Sequence, residues 1–172
     1  MPLQILKYPH PVLKEKAKEV TKEEINDELR ATFAEMRELM NEARGVGLAA
    51  IQVGIKKRFF VMIDNLEDHE PKTVVAINPV IIGKDGQIND EEGCLSFPGV
   101  TAKVKRATTV KIKALNEFGE EVEIERDSYL ARCIQHEIDH LDGITFFDHL
   151  GSIKRQMIEK KYKKLMKENA EA

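Results

Sequence analysis

Between Asp127 and Gly143 runs a helical segment that has to be interior and yet is loaded with ionisable side chains. Tyr129, Leu130, Ala131, Cys133, Ile134, Ile138 and Leu141 leave it apolar nearly all round, the pattern of a helix central to its fold. Asp127 or Ser128 is placed to cap it, and Gly143 to close it after Leu141. Inside it stands His136-Glu137-Ile138-Asp139-His140, an H-E-x-x-H motif. Residues four apart share a helix face, so both imidazoles reach one ion. Glu137 can set its carboxylate beside water held by that ion, as a general base. Incidental histidines on a solvated helix are the bland alternative, but unpaired ionisable groups are costly in an interior one.

Two imidazoles do not complete a site. A metzincin would continue as H-x-x-G-x-x-H; Gly143 fits, but the last position is Phe146, which cannot ligate. A thermolysin-like zincin needs a glutamate roughly twenty residues on, and Glu159 stands there on an amphipathic segment. The other candidate is Cys94 in Glu92-Gly93-Cys94-Leu95-Ser96, a loop-like stretch where Gly93 permits close backbone approach. Its thiolate would make a Cys/His/His set with one tetrahedral position left for water. Cys133, three residues before His136 among apolar neighbours, reads as packing.

Further features set the frame. At about 100–200 residues per domain, the 172 residues make one domain, 1–172. No window approaches the roughly 18 apolar residues of a membrane helix. The first twenty residues hold no apolar signal core and carry acid, so the expected location is cytoplasmic. Two cysteines are too few for a disulfide scaffold, and 27 basic against 30 acidic residues give no global pull toward nucleic acid.

The Tyr8-Pro9-His10-Pro11 run starts the chain extended or turning. Ile25, Leu29, Phe33, Met36, Met40 and Ala43 mark one face of a helix from Thr21 to Ala43, with Thr21 and Glu24 as its capping box. Residues 58–64 and 73–82 read as buried strands, and 110–114 with 122–124 as a hairpin pairing lysines with glutamates. A last helix, about Ser152 to Lys167, gathers Ile153, Met157, Tyr162, Leu165 and Met166 on one side. The expected class is α+β: mostly antiparallel sheets around a central metal-binding helix, with an N-terminal and a C-terminal helix. In Gly45-Val46-Gly47-Leu48-Ala49-Ala50-Ile51-Gln52 the glycines lack the third member and the preceding strand of a dinucleotide site. Small residues leading to one amide suit a loop beside an extended ligand, with Gln52 a donor to a developing oxyanion.

Together Gly45–Gln52, Glu92–Ser96 and Gln135–Gly143 resemble, in order and spacing, the three signature motifs of the peptide deformylases, as does the opening Ile5–Pro9. The resemblance implies removal of the N-formyl group from the N-terminal formyl-methionine of nascent polypeptides, releasing formate. It implies Cys94, His136 and His140 as ligands of one divalent ion, Fe²⁺ in the cell, with Zn²⁺, Ni²⁺ or Co²⁺ in preparations. It makes Glu137 the proton carrier and sets the Gln52 amide and the Leu95 N–H at the oxyanion. It maps the peptide backbone to Val46, Gly47 and Gly93, and the methionine pocket to Val46, Tyr129, Cys133 and His136. Gln135 and Asp139 would orient ligands, an ion pair with Arg106 being the other role for Asp139. Thr101 departs from the family pattern, standing where many bacterial members carry a substrate-lining arginine. Lys154, Arg155, Lys160, Lys161, Lys163, Lys164 and Lys167 face only one acid in that segment, Glu159. This block is either a solvated helix face or a ribosome contact through rRNA phosphates. A metalloprotease, or a domain whose metal only holds the fold, are the competing readings.

Overall fold

The structure, a computed structural model, describes residues 2–64 and 72–171. The proline-rich start runs extended into a 3₁₀ turn over Pro11–Lys14. Glu24 accepts from the Thr21 N–H at 3.0 Å, but this box closes only a short 3₁₀ turn, Lys22–Glu24. Helix α1 starts afresh at Asp27 and runs to Glu42, its cap being Asn26, whose side chain accepts from the Leu29 N–H at 2.9 Å. The expected start at Thr21 is therefore too early: Asn26 is extended and accepts the first free amide itself, so two caps follow one another.

Seven strands follow: β1 (Gly47–Ala49), β2 (Phe59–Ile63), β3 (Thr73–Asp85), β4 (Ile88–Glu92), β5 (Ala102–Arg106), β6 (Thr109–Leu115) and β7 (Glu121–Asp127). Five form an antiparallel sheet in the order β1-β2-β3-β6-β7, and β4 pairs with β5 in a second. Alternate residues of a strand point to opposite faces, and here both faces are covered. Phe59 and Val61 pack with Phe33, Met36 and Met40 of α1, while Phe60 and Met62 join the core on the other side. That is why residues 59–63 read as a continuous apolar run. In the β6–β7 hairpin the lysine–glutamate pairs form on the diagonal, Lys111 with Glu123 at 3.2 Å and Lys113 with Glu121 at 3.7 Å.

Helix α2, Ser128–Leu141, lies on the face of the sheet opposite α1, with Ala131, Ile134 and Leu141 fully buried. Asp127 occupies its cap position without a side-chain cap bond, and Ser128 is left-handed at φ 54°. At its end the Leu141 carbonyl accepts from the Ala17 N–H at 2.8 Å and Arg58 Nη1 at 3.1 Å, so free helix carbonyls are satisfied. Gly143 turns away with φ 75°, and a Cβ there would strike the Lys14 carbonyl. The helix is not apolar all round in its setting: Tyr129 is exposed, and one side faces a cavity.

Helix α3 spans Ser152–Glu171 and is moored through Tyr162, whose hydroxyl donates to the Tyr8 carbonyl at 2.7 Å. Tyr8, Phe97, Phe147 and Tyr162 form one aromatic cluster. Ile158, Leu165 and Met166 share the packed face, but Ile153 and Met157 are 75% and 68% exposed, contrary to the expected single stripe. At 3.6 residues per turn, Ile153 falls about half a turn round from Tyr162.

Candidate metal centre

One turn of α2 brings His136 and His140 onto the same face, their Nε2 atoms 3.1 Å apart. Cys94 sits in the loop between β4 and β5, with its Sγ 3.3 Å from His140 Nε2. The three donor atoms lie within 4.8 Å of one another. A tetrahedral first-row ion bonded at about 2.0–2.3 Å needs its N and S ligands roughly 3.3–3.6 Å apart, so the cluster fits one with little adjustment. Burial, and then His136, push His140 well below the usual imidazole range. His140 Nδ1 and Glu137 Oε1 are buried with no hydrogen-bond partner among the described residues. Glu159 accepts from the Tyr8 hydroxyl at 2.7 Å and is no member of the cluster.

Beside the cluster a cavity of about 380 Å³ opens between α2, the Gly45–Gly47 segment and the Gly93–Thr101 loop. Val46, Gly47, Gln52, Gly93, Cys94, Leu95, Tyr129, Cys133, His136 and Glu137 all line it; His140 lies behind, fully buried. Glu137 is 4% exposed, and burial foremost pushes its carboxyl up to about 7. A Cβ on Gly47 would come within 2.5 Å of Glu137 Oε2, and one on Gly45 equally near the Leu95 side chain. The glycines thus serve close approach of the backbone to the carboxylate and to the cysteine loop. Gln52 Oε1 accepts from the Ala49 N–H at 2.9 Å, which aims its Nε2 at Ser96 Oγ (3.1 Å) and Cys94 Sγ (3.6 Å). Burial also drives the Cys133 thiol up to about 12, so it stays protonated in the wall.

The support of His136 comes from residues to which the motifs alone attach no role. His136 Nδ1 bonds Glu92 Oε1, turning Nε2 toward His140 and Cys94. Glu92 is gripped by Arg106 through Nη2 at 2.8 Å and Nε at 3.1 Å. Burial would raise the Glu92 carboxyl, but His136 and Arg106 outweigh it and hold it at about 2. The one signal in the sequence is the acid two positions before Cys94. Asp139 forms the ion pair with Arg106 and makes no direct hydrogen bond to His136 or His140. Gln135 orients no histidine: it exchanges two bonds with the Ala107 backbone, at 2.9 and 3.0 Å, and clamps α2 to the β5–β6 link.

Arg106 is 5% exposed between Glu92 and Asp139. Arg106→Met strips Glu92 and Asp139 of the guanidinium they share, leaving only His136 and His149 as their partners among the described residues. Urea unfolding is expected to show a loss of about 3 kcal/mol, the lower end for a broken buried pair because both carboxylates keep a second partner.

Comparison with known proteins agrees with this geometry. A family model described as polypeptide deformylase matches residues 2–156. The chain is 46% identical over 161 residues to a peptide deformylase of Thermodesulfovibrio yellowstonii, covering 94% of this chain and 96% of that one. It is 49% identical over 166 residues to a peptide deformylase of Neisseria meningitidis, covering 96% of each. The crystal structure of a peptide deformylase from Legionella pneumophila matches with a TM-score of 0.92 at 39% identity, over 100% of this chain and 99% of that one. The chain belongs to the polypeptide deformylase family, metal-dependent hydrolases that take the formyl group from the N-terminus of nascent polypeptides.

Proposed function

We propose that residues 1–172 form one catalytic domain in which Cys94, His136 and His140 hold a single divalent cation and Glu137 carries the proton of formyl-amide hydrolysis. The observation that carries this reading is one sulfur and two ring nitrogens converging beside a buried carboxylate in a cavity wall. A bound cation supplies an electrophile and makes water acidic enough to act near neutral pH. Glu137 takes a proton from the attacking water and returns it to the leaving amine, so formyl amide and water give formate and a free N-terminus. Gln52 Nε2 and the Leu95 N–H donate to the formyl oxygen as charge develops there. Backbone groups of Val46, Gly47 and Gly93 hold the peptide, while Tyr129, Cys133, Val46 and His136 wall the methionine side chain.

A thiolate and two imidazoles accept Fe²⁺, Zn²⁺, Ni²⁺ or Co²⁺, and supply then selects among them; our assignment in the cell is Fe²⁺. The substrates are formyl-methionyl nascent peptides in the cytoplasm. Among the described residues no helix is long and apolar enough to cross a membrane. Ribosome contact is assigned to α3, where Lys154, Lys160, Lys161, Lys163, Lys164 and Lys167 are exposed, whereas half-buried Arg155 is already paired with Asp148.

The test is formate release from formyl-Met peptides after anaerobic iron loading, with acetyl-Met peptides as control; equal cleavage of both overturns the formyl-specific reading. Gln52→Ala is expected to lower kcat by about 10²–10³-fold, with KM changed much less, since the donor acts on charge that appears only in the transition state.

A further inference from the structure

His149 lies 13 positions beyond His136 and touches none of the three cluster residues, yet an unbroken hydrogen-bonded chain joins it to that ring. Its Nε2–H donates to Asp139 Oδ2 at 2.8 Å. The same oxygen accepts from Arg106 Nη1. Arg106 Nη2 in turn donates to Glu92 Oε1, the very oxygen that meets His136 Nδ1. Two oxygens are thus each shared by two donors, and a shared acceptor couples the positions of both. Arg106 is a rigid plane, so where Asp139 pulls Nη1 determines where Nη2 presents itself to Glu92.

His149 is itself exposed, but its backbone is anchored where it can serve as a donor. It ends a 3₁₀ turn, Phe146–His149, whose two phenylalanines are 1% and 0% exposed. That turn is closed by Asp148 accepting from the Thr145 N–H at 2.9 Å. Asp139 is itself partly exposed, and His149 is the second donor on the oxygen that meets Arg106, so it limits how that carboxylate can turn toward water.

We propose that His149 is a positioning residue for the metal centre, acting through Asp139, Arg106 and Glu92 to hold the His136 imidazole in ligating orientation. The proposal rests on Cys94, His136 and His140 being the ligands.

The experiment measures the apparent dissociation constant for Co²⁺ by chelator competition, together with the visible spectrum of the Co²⁺ protein. His149→Phe keeps a ring but removes the donor; it is expected to weaken binding about tenfold, the lower end for residues that orient ligands. His149→Gln, whose amide nitrogen reaches the place of Nε2, is expected to restore affinity to within about threefold of wild type, on the same scale. The urea midpoint of metal-free His149→Phe stays at the wild-type value. Wild-type affinity in His149→Phe overturns the proposal, as does an equal loss in both variants. Cys94→Ala run in parallel separates the two levels: if it binds Co²⁺ as wild type does, the ligand assignment itself is wrong.

Discussion

Glu137→Gln retains its cation and loses about four orders of magnitude in kcat for formate release, the upper end of what a general acid–base group supplies. Several features concentrate the effect on turnover. The side chain is buried, its Oε1 has no hydrogen-bond partner among the described residues, and its Oε2 lies against the backbone at Gly47. Glutamine fills the same volume, so neither the cavity nor the contact with Gly47 changes. What disappears is a carboxylate able to take a proton and give it back, and burial has already brought its affinity for that proton to about 7. A neutral amide also removes a buried charge, so the variant unfolds at a temperature no lower than the wild type. Metal analysis, circular dichroism and a formate assay together check the prediction; near-normal release excludes Glu137 from the chemistry.

Cys94→Ala is expected to purify almost free of metal, while Glu159→Ala keeps a full equivalent. Structural zinc sites bind with about 10–16 kcal/mol spread over four ligands, so one ligand lost is worth about 3 kcal/mol or more, over a hundredfold in affinity. Glu159 serves Tyr8 instead, and removing it loosens only the seat of α3. The Co²⁺ protein reports the difference directly: a thiolate charge-transfer band in wild type and Glu159→Ala, none in Cys94→Ala. Stripping the ion should leave secondary structure largely intact, because α2 is held by Ala131, Ile134 and Leu141 in the core and by the Gln135 clamp. A structural site would unfold instead, and that outcome separates an enzyme from a metal-stapled domain.

The features legible in the sequence are those written in local spacing. The i, i+4 histidines, the alternating hairpin and the apolar run of β2 each depend on periodicity, and each stands in the structure. Start points and orientation were harder to see. Thr21 and Glu24 form the box their spacing announces, but whether it opens an α-helix or a 3₁₀ turn depends on Asn26. β1 is only three residues long and β4 is polar after Ile88, so neither carries a period, and in β5 the alternation rests on Ala102 and Val104 alone among charged neighbours. Which residues of α3 face inward was set by Tyr162 meeting Tyr8, 154 positions away. The grip on His136 was hidden for the same reason: Glu92, Arg106 and Asp139 are separated by 14 and 33 positions, and only the tertiary fold makes them neighbours.

The sulfur and the imidazole nearest it stand 46 positions apart, one in a loop of the small two-stranded sheet and the other on a helix packed against the large one. No local stretch of the emerging chain can assemble such a claw. With the ligands proposed above, the complete three-donor set exists only once both sheets and the helix have met, so a chain folded without metal would stand as a finished but idle scaffold.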